Sequence, residues 1–154
     1  MKPLRLTAAL TALSALAALP AFAGTCPAEH VIAPQSFTGA TMPKDVTDTV
    51  IGEIDLGMQY NVPGRAFRMR RLEIMPGGIV PLHSHAERPA HIYVVSGEIV
   101  EHRSTCAVPI VHKAGEVAVE AGSLSHWWRN EGTVPVVLIS ADILPPAGNP
   151  AESM

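Results

Sequence analysis

Seven histidines occur in this chain of 154 residues, and two of them, His83 and His85, are separated by a single residue. Side chains alternate faces along a β-strand, so residues two apart project to the same side. On a strand this pair sets two imidazoles next to each other, which is how a sheet presents nitrogen ligands to a transition metal. Paired histidines also occur on solvated strands, so the pair by itself leaves both readings open. By the same parity His126, Trp128 and Asn130 share a face, while Trp127 turns the other way. Arg68, Arg70 and Arg71 read as a solvated strand face, with the alternative that one turns inward to hold a substrate carboxylate. His30, His102 and His112 have no such pattern and read as ordinary surface or half-buried histidines.

These residues sit in a chain of short β-rich runs. Strands are predicted over 50–56, 66–75, 79–83, 91–95, 98–103, 108–111, 116–119, 126–129 and 134–141. Turn signals separate them, including Pro76-Gly77-Gly78, Ser96-Gly97, Ala114-Gly115 and Ala121-Gly122. No helical period of three to four turns is sustained after residue 24. The pattern predicts an all-β antiparallel sandwich or barrel.

The spacing of the glycines and histidines adds to this. Gly77 precedes His83 and His85, Gly97 follows, Gly115 opens a second unit, and that unit reaches His126 and Asn130. In this order and spacing the sequence resembles the cupin family over about residues 65 to 142. The resemblance implies a double-stranded β-helix, or jelly roll, with a metal in its mouth held by His83, His85 and His126, and Asn130 supporting a turn. It also points to a homodimer.

Two positions depart from the family pattern. Ala90 stands where the family has its glutamate ligand, and the usual Pro-X-Gly turn reads Ala121-Gly122-Ser123. The expected site is therefore a three-histidine site with open coordination positions, with Glu87 the candidate for a fourth ligand because it lies two residues beyond His85. His91 is expected to face outward. Three neutral imidazoles leave a divalent ion its full charge, which favours an anionic ligand. Ligand chemistry and the order of affinities favour zinc or copper, with iron, nickel or manganese also possible.

The N-terminus reads as export machinery. Residues 1–23 combine Lys2 and Arg5, an apolar stretch from Leu6 to Leu19 and the small-residue pattern Ala21-Phe22-Ala23, as in a secretory signal peptide cleaved after Ala23. Their removal leaves 131 residues and takes the formal charge from −3 to −5, which disfavours nucleic acid as a partner. No second run approaches the roughly 20 apolar residues of a membrane span. A periplasmic or secreted location is expected, and it favours a disulfide between Cys26 and Cys106 over two free thiols. The organisation read is signal peptide 1–23, extended arm 24–48, one barrel domain 49–143 and tail 144–154.

The leading functional expectation is a secreted metal-binding cupin acting on a small anionic molecule, with the metal as Lewis acid or oxygen-binding centre. As an enzyme it would be an oxygenase, isomerase or lyase. The alternatives are a non-catalytic ligand-binding or metal-sensing module of the same fold, and a mainly structural jelly roll.

Overall fold

In the computed structural model, residues 24–146 are described. The predicted signal peptide, and the predicted tail beyond residue 146, lie outside the described residues. Eight strands follow one another: β1 Lys44–Asp55, β2 Ala66–Ser84, β3 Ala90–Ser96, β4 Glu98–Arg103, β5 Ile110–Lys113, β6 Val117–Glu120, β7 Ser125–Arg129 and β8 Val136–Ile143. They are joined in the order β5-β4-β7-β2-β8-β3-β6, with β1 paired to β2. Every pairing is antiparallel. The fold is all-β and antiparallel, as the spacing of short strands predicts, and it is the nearly closed jelly roll that the resemblance implies.

Alternation explains the core. In β8 every second residue from Val136 to Asp142 is buried, and in β3 Ala90, Ile92 and Val94 face inward. Leu72, Ile74, Val94, Ile99, Val136 and Leu138 pack with Trp128 as the centre of the apolar cluster. His91 is exposed, as its parity predicts.

Two predicted strands, 66–75 and 79–83, are one. β2 runs through Pro76-Gly77-Gly78 without stopping, and there it changes partners: Phe67–Ile74 pairs with β8, whereas Ile79–Ser84 pairs with β7. Gly77 has φ +76°, and a Cβ on Gly78 would stand 2.7 Å from the Met75 carbonyl oxygen and 2.8 Å from that of Asp45. The glycines bend the strand rather than end it. Beyond this bend β2 reaches His83, and His85 follows just after the strand ends.

The arm is shorter than predicted, because β1 begins at Lys44. Its start is tied down by the Cys26–Cys106 disulfide, whose Cα atoms are 5.7 Å apart. A β-bridge between Val31 and Cys106 and the bond from Ile32 N–H to the Thr105 carbonyl (3.0 Å) continue the attachment. One short helix, α1 Gly57–Tyr60, links β1 to β2. No helix among the described residues is long and apolar enough to cross a membrane.

Candidate metal centre

β2 and β7 lie side by side with His83 opposite His126, and His85 follows two residues on. The three rings meet with centroids 4.5 to 4.9 Å apart. The sequence-predicted histidines are thus brought together by one strand pair and the same-face rule.

The fourth member of the cluster is Glu120, whose Oε2 is 3.0 Å from His85 Nε2. Glu87 is corrected as the candidate fourth ligand. β2 ends at Ser84, so the strand parity linking Glu87 to His85 is lost; the side chain is exposed and pairs with Arg65 at 3.5 Å. Glu120 is the cross-strand partner of Ala90. The carboxylate missing from Ala90 is thereby supplied from the neighbouring strand, and the expectation of a purely three-histidine donor set gives way to three nitrogens and one oxygen.

Each imidazole is oriented by the nitrogen it does not offer. His83 Nδ1 donates to the Pro81 carbonyl (2.8 Å) and His85 Nδ1 to the Arg88 carbonyl (2.6 Å). His126 Nδ1 donates to Glu101 Oε1 at 2.6 Å. Trp128 Nε1 lies 2.9 Å from the same nitrogen. Glu101 is held ionised and can only accept, so Nδ1 is the protonated position and the indole N–H does not donate to it. In all three rings Nε2 is left with its lone pair facing the cluster, the pattern of histidines held for a metal.

Glu101 was not foreseen as part of the site. It is fully buried between His126 and His112, with His112 Nε2 at 2.8 Å and Arg103 Nη2 at 2.7 Å. Burial pushes its carboxyl up, but the hydrogen bonds with His112 and His126 outweigh this and hold it well below the ordinary range. His112, read from sequence as surface or half-buried, is completely buried and stacks on Trp128 at 4.6 Å. His102 stacks on Trp127 at 4.1 Å, away from the cluster. Asn130 holds its turn by donating to the Ile74 and Val134 carbonyls and accepting from Gly132 N–H.

Electrostatics prepare the donors. Burial, then the neighbouring His126, push His83 down to about 2, and burial pushes His85 down to about 4, so both are neutral near pH 7. Burial raises Glu120 to about 7.

The donor set fits a transition ion. His83 Nε2 stands 3.0 Å from His85 Nε2 and 3.1 Å from His126 Nε2. These nitrogens face each other with lone pairs, a repulsive arrangement unless a cation lies among them. At bond lengths of about 2.0 to 2.1 Å, donors at right angles stand about 3.0 Å apart and tetrahedral ones about 3.4 Å. The spacing matches neighbouring corners of an octahedron, which leaves further corners for a ligand.

Arg68 and Arg70 turn inward, a correction to the solvated face expected of this run; only Arg71 points out, paired with Glu73 at 2.9 Å. With His83 and Arg88 they line a cavity of about 450 Å3, within the size range of small-molecule sites.

Residues 70–142 match the cupin domain model. Those residues form a cupin domain. Among curated proteins the chain is similar to Nectarin-1 of Nicotiana langsdorffii x Nicotiana sanderae, with 37% identity over 76 residues, covering 47% of this chain and 33% of that protein. It is also similar to germin-like protein subfamily 2 member 2 of Arabidopsis thaliana, at 28% identity over 111 residues, or 68% of this chain and 51% of that one. The chain thus spans between a third and about half of these relatives' length. Among solved structures, a double-stranded β-helix protein from Klebsiella pneumoniae matches with TM-score 0.53 and 21% identity, over 79% of this chain and 88% of that one. An oxalate oxidase bound to the substrate analogue glycolate matches with TM-score 0.51 and 22% identity, over 71% and 59%. At these identities the two structures establish the fold.

Proposed function

We propose that this protein is an exported metal-binding cupin in which His83, His85, His126 and Glu120 hold one divalent transition ion, and that it takes a small anionic molecule into the cavity beside it. The observation that carries the reading is the set of three oriented Nε2 atoms, two of them 3.0 and 3.1 Å from the third. Such an ion would supply Lewis-acid polarisation or an open binding position. With a carboxylate oxygen in the set, iron and manganese stand beside zinc and copper as candidates. The disulfide supports export to an oxidising compartment, periplasmic or extracellular.

The deciding experiment is elemental analysis and metal titration of the purified mature protein. One equivalent of a transition metal per chain is expected, lost in His83→Ala and His126→Ala; a wild-type protein that takes up no metal would overturn the reading.

A second reading, a module that holds its ligand without converting it, is favoured by one observation. Asp48, the one carboxylate among the described residues lining the cavity, is committed to an ion pair with Arg70, so the wall offers no free carboxylate for proton transfer. Incubating the metal-loaded protein with candidate anions and following their consumption separates the two readings. A homodimer belongs to the same proposal, supported by the roughly half-exposed Val50, Ile51 and Ile54 on β1, a strand that pairs with β2 alone among the described residues.

A further inference from the structure

The cavity beside the histidines has a cationic wall that the metal does not explain. Asp48 of β1 and Arg68, Arg70 and Val80 of β2 line it together with His83 and with Arg88 from the turn after β2. Arg88 is completely buried. Even so, its Nε and Nη1 have no hydrogen-bond partner among the described residues, and Arg70 Nε is in the same condition. Asp142 Oδ2 lies 3.8 Å from Arg88 Nε, beyond hydrogen-bond reach. That carboxylate is already engaged by Arg68, through Nε at 3.1 Å and Nη2 at 2.8 Å, with Arg70 Nη2 at 3.5 Å.

Asp142, the carboxylate that the ion pairs place beside Arg88, is shared with Arg68 and Arg70, and Arg70 is shared in turn with Asp48. A buried guanidinium with idle donors is costly unless an anion meets it. A planar carboxylate presents two oxygens in the geometry that a guanidinium binds well.

We propose that Arg88 and Arg70 form a binding subsite for a carboxylate, so that a small molecule in the cavity meets the histidine cluster with one end and these guanidinium groups with a carboxylate at the other. The orientation rests on the metal-binding reading; the subsite itself does not. Arg88 then serves the site twice, its backbone carbonyl orienting His85 and its side chain reading the ligand.

Succinate and its mono-amide, succinamate, test this, because they match in size and differ in one remote charge. Calorimetric titration is run on metal-loaded and metal-stripped wild type and on Arg88→Met. A charged hydrogen bond to the idle Arg88 donors should give wild type a preference for succinate of about tenfold. Arg88→Met is expected to bind the two almost equally with its metal content unchanged. Arg88→Gln, which keeps a polar head without the charge, gives the same reading should the methionine variant not fold. A wild type without the preference, or variants that retain it, would overturn the subsite. A wild type that takes up no metal yet shows an Arg88-dependent preference would end the metal reading and leave the subsite standing; uptake of one metal without the preference would do the reverse.

Discussion

At the scale of single residues, a carboxylate in place of a hydrophobic neighbour sets the character of the site. Glu120 ends the segment Val117-Ala118-Val119-Glu120, in which Val117 and Val119 are 46% and 59% exposed while Glu120 is 1% exposed. Read by hydrophobicity, this strand faces the wrong way, which is why Glu120 was not legible and Glu87, adjacent in sequence to the histidine pair, was the candidate instead. Glu120→Ala is expected to weaken metal affinity by about 10- to 100-fold, as loss of a ligand or its supporting group does elsewhere, while Glu87→Ala leaves it unchanged; competition with a chelating dye reads both. Because Ala90 faces Glu120 across the strand pair, the double variant Ala90→Glu with Glu120→Ala should recover part of the loss. The metal-free protein should also show a pH signature. His83 and His85 are depressed from 6.5 to about 2 and about 4, so their contribution is full above pH 6.5 and is lost as pH falls toward 4. Glu120, raised from 4.5 to about 7, acts oppositely, its contribution disappearing as pH rises through 7. Two histidines outweigh one glutamate between pH 4.5 and 6.5, so urea midpoints of chelator-treated protein should rise with pH across that window. A flat or falling profile would count against neutral buried imidazoles.

At the scale of elements, the bend in β2 matters more than any one turn. Sequence reading placed a turn at Pro76-Gly77-Gly78 and divided the strand; local residue types mark a break in regularity but carry no information on which neighbour each half will pair with. The pairing with β8 on one side and β7 on the other keeps the hydrogen-bond ladder going through the bend. Gly78→Ala would press a methyl group against two backbone carbonyl oxygens at 2.7 and 2.8 Å and against Ile74. A loss of about 1 to 3 kcal/mol in stability is expected, together with weaker metal uptake because His83 moves with the strand; thermal unfolding and metal titration check the two effects. The disulfide was legible from export and cysteine count. It closes a separation of 80 residues, for which chain-entropy arguments give about 4.5 kcal/mol. Cys26→Ser with Cys106→Ser should lower stability by up to that amount in denaturant unfolding while leaving metal stoichiometry intact, since neither cysteine touches the cluster.

At the scale of the whole molecule, the cupin fold brings histidines from two distant motifs to one point and leaves a cavity beside them, but the scaffold does not dictate the chemistry. Mass measurement of the mature protein should find it beginning at Gly24 if the signal reading holds, and sedimentation should find twice the chain mass if β1 is a dimer edge. The sequence by itself determined the all-β class, the cupin resemblance and the three histidines, because each rests on a local period or a spacing along the chain, and export with two cysteines pointed to the disulfide. Only the tertiary structure decided that Glu120, Glu101, His112 and the inward arginines join them. Those residues come from β2, β4, β5, β6 and the turn after β2, and their roles depend on burial and cross-strand partners. Strand parity says which residues share a face; only closure of the barrel says which face is inside and what it meets there.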